Sequence, residues 1–455
     1  MAKGKVKRAF VCTDCGADYP TWTGQCTSCG EWNTVKEIRL ESARSSAPKR
    51  FQGFAGARSS VQLLADVERE DVRCISSGMQ ELDRVLGGGF VPGSVILIGG
   101  DPGAGKSTIL LQTLGYLSQS RPVLYVSGEE SLQQIAERAS RLGIQVGQLK
   151  MLAETSVEHI CSIVDQEKPE IVVIDSIQVM QREGVDSAPG GVAQVRECAA
   201  YLTQYGKRHG VIFLISGHVT KDKTLAGQMT LSHIVDTQIM LSSTDDARYR
   251  LMRTTKNRFG SVNELGVFAM TTTGLKQVKN PSAIFLSRST KPSPGSAVSV
   301  LWEGTRPLLV EIQSLVVDSQ LGNPRRLGVG FDQNRVSMLL AVLTRHGGIV
   351  TSDQDVFINV VGGIRVSETS ADLAVLLAIV SSLRDRIIPH DTIVLGEVGL
   401  SGELRPVANG KARIKDAGKH GFKKAIVPTA NVPKKPVTGI EVIGVDDLAS
   451  ALDEI

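Results

Sequence analysis

Residues 99–108 read "GGDPGAGKST", directly after the apolar run "SVILI" and ahead of a helical pattern. Gly100, Gly105, Lys106 and Ser107 satisfy the spacing G-x4-G-K-S of a phosphate-binding loop. Glycines let backbone N–H groups wrap a polyphosphate, Lys106 reaches the β- and γ-oxygens, and Ser107 ligates Mg2+. The helix that follows adds its positive N-terminus. The contact stretch for ATP (GTP fits the same loop) is therefore Gly100, Asp101, Pro102, Gly103, Ala104, Gly105, Lys106, Ser107 and Thr108.

Hydrolysis needs carboxylates near that loop. "IVVIDS" ends a strand pattern in Asp175, where a carboxylate serves the Mg2+ and its water. "LYVSGEES" places Glu129 and Glu130 at the tip of another strand, and one of them is expected to act as general base toward the attacking water. Ser216 and His218 close the strand "VIFLISG" and its continuation, where they could sense the γ-phosphate. In "TTKNRFG" (254–260), Lys256 and Arg258 alternate along a strand and so project to one side. They either cap a solvated edge or act as cationic fingers toward a neighbour's γ-phosphate in a ring or filament.

Cys12, Cys15, Cys26 and Cys29 form CxxC-x10-CxxC, with Gly16 and Gly30 following each pair. Two such turns direct four thiolates at one tetrahedral ion, so a structural Zn2+ is expected, with no open coordination position for catalysis. Cys74, Cys161 and Cys198 stand singly in apolar or helical contexts and read as small core residues.

Elements must position these groups. A chain of 455 residues with 42% hydrophobic and 22% charged residues implies two or three globular domains. The expected order is a cysteine module at 1–35, a Ser/Ala/Gly-rich linker at 36–64, an α/β nucleotide domain at 65–285 and a compact α/β domain at 297–455. In the nucleotide domain, "SVILIGG", "PVLYVSG", "EIVVIDS" and "VIFLISG" are continuous apolar strands separated by helical patterns. They predict a parallel sheet covered on both faces. Strands are also expected at "RPLLVEIQSLV" (306–316) and "DTIVLGEVGL" (391–400). Residues 1–60 hold ten Lys/Arg against five acids, whereas the whole chain is only +4, so a basic arm suited to phosphate precedes a near-neutral body. No apolar run is long enough to span a bilayer and no h-region follows the N-terminus, so a cytoplasmic location without membrane contact is expected.

The chain resembles bacterial RadA (Sms) proteins, RecA-like DNA repair ATPases. The resemblance rests on the four-cysteine module, "GDPGAGKST", "YVSGEES", "VVIDSIQ", "GHVTK", "KNRFG" and a C-terminal region similar to the Lon protease. It implies a homo-hexameric motor that binds single-stranded and branched DNA, hydrolyses ATP and drives branch migration with the RecA recombinase. It implies that Glu129, rather than Glu130, is the catalytic carboxylate, and that Lys256 and Arg258 couple ATP turnover to DNA. By the same resemblance, "EGVDSAPGGVAQVRE" (183–197) and "TKDKTLAGQ" (220–228) match DNA-facing loops. Gly190 and Gly191 would supply mobile backbone there, and Lys221 and Lys223 phosphate contacts.

A second chemistry competes. "SETSADLAV" is similar to the serine-bearing stretch of Lon-type proteases, with Ser370 on the nucleophile position and Arg413 where the family keeps its lysine. A guanidinium stays protonated and cannot serve as general base. Lys411, two residues away, is a candidate substitute. Ser370 equally suits the start of a helix, where serine caps free N–H groups. An ATP-dependent serine protease is thus the alternative, and an inactive Lon-like scaffold the expectation.

Overall fold

The computed structural model describes residues 8–12, 18–19, 22–25, 27, 29–32, 34–39, 74–145, 147–218, 228–244, 248–286, 293–320 and 324–455. Its contacts divide the chain into two units, Met1–Val61 and Gln62–Ile455. In the first, β1 (Arg8–Cys12), β2 (Asp18–Tyr19) and β3 (Val35–Arg39) form an antiparallel sheet ordered β2-β1-β3.

The second unit opens with α1 (Gln80–Leu86), β4 (Val95–Gly100), α2 (Lys106–Leu117), β5 (Val123–Ser127), α3 (Leu132–Arg141) and β6 (Lys150–Ala153). There follow α4 (Val157–Glu167), β7 (Ile171–Asp175), α5 (Val192–His209), β8 (Ile212–His218), α6 (Gln228–Ile234) and β9 (Thr237–Ser243). Three more strands, β10 (Tyr249–Asn257), β11 (Leu265–Thr271) and β12 (Gly274–Gln277), complete a nine-stranded sheet ordered β12-β11-β10-β9-β4-β8-β7-β5-β6. From β9 to β6 every pairing is parallel, and β10–β12 extend that sheet antiparallel.

Alternation along β4 shows why its apolar run is continuous. Ile96 and Ile98 pack on one face with Leu82, Val85 and Ile109 of α1 and α2. Val95 and Leu97 pack on the other with Ile160 and Val195 of α4 and α5. Both faces are covered, so no polar position is tolerated.

The remaining elements are β13 (Ser296–Glu303), β14 (Arg306–Asp318), β15 (Arg326–Val329), α7 (Gln333–His346), β16 (Gln354–Val360) and α8 (Asp372–Arg384). After them come β17 (Thr392–Val394), β18 (Glu397–Val398), β19 (Leu404–Arg405), α9 (Gly410–Lys419), β20 (Lys424–Pro428), β21 (Glu441–Val445) and α10 (Leu448–Leu452). Seven of the strands make a mixed sheet ordered β15-β16-β14-β13-β17-β20-β21. The single strand expected at 391–400 is instead β17 and β18, which belong to different sheets. Helix α8 is buried on all sides from Asp372 to Ser381, as its unbroken apolar run requires.

Strands β10 and β11 lie between the two sheets' cores. Met252 and Phe268 pack toward the P-loop core, while Leu265 and Val267 join the core of the C-terminal sheet, with Leu251 packed against it. Ion pairs reinforce this contact: Arg306 donates to both Glu81 oxygens at 2.9 and 3.1 Å, and Arg253 Nη1 to Glu303 at 2.6 Å.

Candidate active site

The phosphate loop begins where β4 ends. A Cβ on Gly100 would lie 2.2 Å from the Leu241 carbonyl oxygen of β9, so only glycine allows this approach. Gly105, at φ 103°, turns the loop into α2. Lys106 Nζ donates to the Gly100 and Asp101 carbonyls at 2.8 and 3.0 Å, which holds the ammonium inside the loop's own curve. Burial lowers its pKa, and the nearby Asp175, Asp101 and Glu129 charges oppose that shift without cancelling it. The donor set fits a polyphosphate: a phosphate oxygen can take over the ammonium's two carbonyl contacts.

Asp175 closes β7 with both carboxylate oxygens held. Tyr125 OH donates to Oδ2 and Ser216 Oγ to Oδ1, each at 2.5 Å. Burial first, and then the Asp175 charge, raises the Tyr125 pKa well above its ordinary value, so the phenol stays a donor. Ser216 therefore orients the carboxylate expected to serve Mg2+ together with Ser107. The His218 side chain lies outside the described residues. Glu129 accepts a hydrogen bond from Ser176, the residue that directly follows Asp175. Glu130, by contrast, is ion-paired with Arg138 of α3. The two glutamates thus have different tasks: Glu130 anchors a helix, and Glu129 stands beside the Asp175 end of the sheet. Tyr125 and Ser176 escaped the sequence reading because their partners lie 50 and 47 residues away.

Lys256 and Arg258 are not at this chain's phosphate loop. Lys256 pairs with Gln238, which pairs with Leu97, and the Arg258 N–H donates to the Asp236 carbonyl beside Val95. Gly100 lies five residues further along β4 from Val95, about 16 Å of strand, and three from Leu97, about 10 Å. Simple alternation does not describe the pair: the register breaks between Thr254 and Lys256, and Arg258 lies just past the strand. Arg258 contacts Asp236, whereas Lys256 is anchored on the backbone just before it. Arg258 Nη1 is 3.4 Å from Asp236, which also receives Lys207 at 3.0 Å. Lys256 Nζ donates to the Ser232 and Val235 carbonyls at the end of α6, the latter at 2.8 Å. Its pKa is lowered by burial and then by the Arg258 charge. The loop 183–191, with Gly190 at φ 79°, leads from the Asp175 end of β7 into α5. Lys221 and Lys223 lie outside the described residues.

Ser370 is 3% exposed, in a 3-10 turn ahead of α8. It does not cap that helix, whose N-cap is Ala371 without a side-chain bond. Its Oγ instead accepts from Arg413 Nη1 at 3.1 Å. Arg413 is 1% exposed and also donates to Glu368 at 2.7 and 2.8 Å, to Val300 O at 2.5 Å and to Ala408 O at 2.9 Å. Lys411 is exposed on the same helix, so the substitute base points away from the buried serine. Since the Ser370 hydroxyl is bonded to a charged guanidinium, Ser370→Ala is expected to cost about 1.5–3 kcal/mol in a denaturant titration.

In the first unit, a Gln25–Trp32 bridge encloses the second cysteine pair, Gln25 Nε2 donates to Gly30 O at 2.8 Å, and Gly30 has φ 79°. A left-handed glycine directly after Cys29 fits the turn of a metal knuckle. Cys15 and Cys26 lie outside the described residues, as does the Cys12 side chain. Cys161 and Cys198 are buried as expected, with burial raising each pKa to about 12. Cys74 is exposed and is not a core residue.

Family models match this chain in three places: a rubredoxin metal binding domain over 10–37, an AAA domain over 59–224 and the ChlI subunit of Mg-chelatase over 327–431. The DNA repair protein RadA of Salmonella typhimurium LT2 is 60% identical over 455 residues, 99% of each chain. This chain belongs to the RadA family. RadA of Escherichia coli K12 is 59% identical and that of Bacillus subtilis 168 is 45% identical, each over 99% of both chains. A solved KaiC-like protein of Pyrococcus horikoshii aligns with 46% of this chain and 99% of its own at 20% identity, with a TM-score of 0.39. The RadA assignment fits the architecture: a ribbon module, a RecA-like P-loop core and a Lon-like C-terminal region. No helix among the described residues is long and apolar enough to cross a membrane.

Proposed function

We propose that this chain is a DNA-dependent ATPase of DNA repair. It acts in the cytoplasm as a homo-hexameric motor on single-stranded and branched DNA, and promotes branch migration with the RecA recombinase. ATP and Mg2+ are held by Gly100–Thr108 with Asp175, Glu129 is the general base, and Zn2+ is held by Cys12, Cys15, Cys26 and Cys29. Lys221 and Lys223, with Lys256 and Arg258, make the DNA contacts. Domain limits follow as 1–35, 36–64, 65–285 and 297–455.

The observation that carries this reading is the position of Lys256 and Arg258, three to five residues of strand from their own phosphate loop and partly exposed. Cations so placed can reach a nucleotide bound by another subunit or a DNA phosphate, and the first use makes hydrolysis depend on assembly. Proteolysis is disfavoured because, among the described residues, the cation at the Ser370 hydroxyl is Arg413, permanently charged and engaged with Glu368.

Steady-state hydrolysis is expected to rise severalfold on adding single-stranded DNA. Mixing Arg258→Ala subunits into wild-type protein is expected to lower the rate faster than dilution alone, because each variant silences its neighbour's site. A linear decline would remove the trans assignment. A rate indifferent to DNA, together with peptide cleavage abolished in Ser370→Ala, would replace the motor with the protease.

A further inference from the structure

The outer side of the phosphate loop rests against the antiparallel extension of the sheet. A Cβ on Gly105 would meet Met270 of β11 at 3.1 Å and Leu275 of β12 at 3.3 Å. Gln112 of α2 is tied to the Leu275 backbone by two hydrogen bonds, at 2.9 and 3.3 Å. From β10, Arg250 reaches the loop itself: its Nε donates to the Ala104 carbonyl at 2.9 Å across 146 residues of sequence. The side chain is only 7% exposed, and its Nη1 is fixed on the Tyr249 carbonyl at 3.0 Å. Buried and held at two points, the guanidinium fixes the direction of the Ala104 carbonyl.

Its direction matters because of the next atom in the chain. The Ala104 carbonyl and the Gly105 N–H belong to one planar trans peptide and so point opposite ways. Holding the carbonyl toward β10 turns the Gly105 N–H away from β10. A free glycine would not keep that orientation, since Gly105 sits at φ 103° and adopts either sign of φ readily. We propose that Arg250 is a positioning residue for nucleotide binding, which locks the Ala104–Gly105 peptide so that the Gly105 N–H is presented to a phosphate of the triphosphate. The inference rests on the ATP-binding reading of the loop and adds to it a group from outside the motif.

An N–H that binds a phosphate equally in the ground and transition states affects affinity more than turnover. In full-length Arg250→Gln, the KM for ATP and the Kd for a fluorescent ATP analogue with Mg2+ are each expected to rise about tenfold, while kcat falls less than about threefold. Arg250→Lys keeps a charged donor for the Ala104 carbonyl and is expected to recover most of the affinity. Unchanged affinity in Arg250→Gln would overturn the assignment. So would an equal loss in both variants accompanied by a lowered Tm, which is the signature of packing. The binding arm needs no turnover, so a wild type that binds but does not hydrolyse ATP would refute the motor while leaving Arg250 testable.

Discussion

Glu129→Gln is expected to lower the ATPase kcat by about 10²- to 10⁴-fold while leaving ATP binding in place, the usual cost of removing a general base. The amide keeps the size of the carboxylate and can still meet Ser176, so the fold around β5 and β7 is preserved. It cannot take a proton from the attacking water. Glu130→Gln tests the choice between the two acids. Glu130 is already committed to Arg138, and both side chains of that pair are partly exposed, so its loss is expected to cost about 1 kcal/mol of stability or less and little turnover. Lys106→Ala differs again. It removes the ammonium from the loop, so binding and hydrolysis fall together. Single-turnover hydrolysis with equilibrium binding on the three variants separates these roles. Equal kcat losses in Glu129→Gln and Glu130→Gln would remove the assignment of the base.

How far these roles were legible depends on distance along the chain. The phosphate loop and the carboxylates at strand ends are local patterns: a turn, a strand and a helix within about 20 residues carry their own signal. The clamp on Asp175 is not local, because Tyr125 and Ser216 come from strands 50 and 41 residues away. A parallel sheet made them neighbours, and no spacing rule announces which of its apolar-strand residues will face the carboxylate. The same limit hid Arg250, whose partner is 146 residues away. For Lys256 and Arg258 the strand was readable, but the break in register after Thr254 was not. Ser370 was read as a cap from its place before a helix and as a nucleophile from the likeness to Lon-type proteases, which already set Arg413 against it. The cap is absent, and Arg413, 43 residues later on α9, is its hydrogen-bond partner.

That partner carries the largest stability effect expected in the chain. Arg413 donates to Glu368, Val300, Ala408 and Ser370, and its guanidinium lies 5.8 Å from the Trp302 ring centroid. Arg413→Leu strands the Glu368 carboxylate, and breaking a buried pair from one side costs about 3–5 kcal/mol. Glu368 keeps 29% exposure, so water relieves part of that charge and the lower end, about 3 kcal/mol, applies. The pH dependence identifies the cause. Burial pushes the Glu368 pKa up, but the Arg413 hydrogen bonds and charge outweigh it, and the net value lies below the ordinary one. The wild type therefore holds this stabilisation at neutral pH and loses it as pH falls through the lowered folded pKa. In Arg413→Leu only the Trp302 N–H and the Ser370 hydroxyl still oppose burial, so Glu368 takes up its proton at higher pH than in the wild type and the penalty relaxes as the solution is acidified. Denaturant titrations at pH 7 and near pH 4.5 should show the gap between the proteins narrowing; a gap that widens would exclude stranded charge as its origin. Arg413→Lys restores the cation that Lon-type proteases carry here, yet the facing Glu368 holds an ammonium protonated, so no peptide cleavage is expected to appear. The ion pair that stabilises the C-terminal sheet is also what denies Ser370 a base.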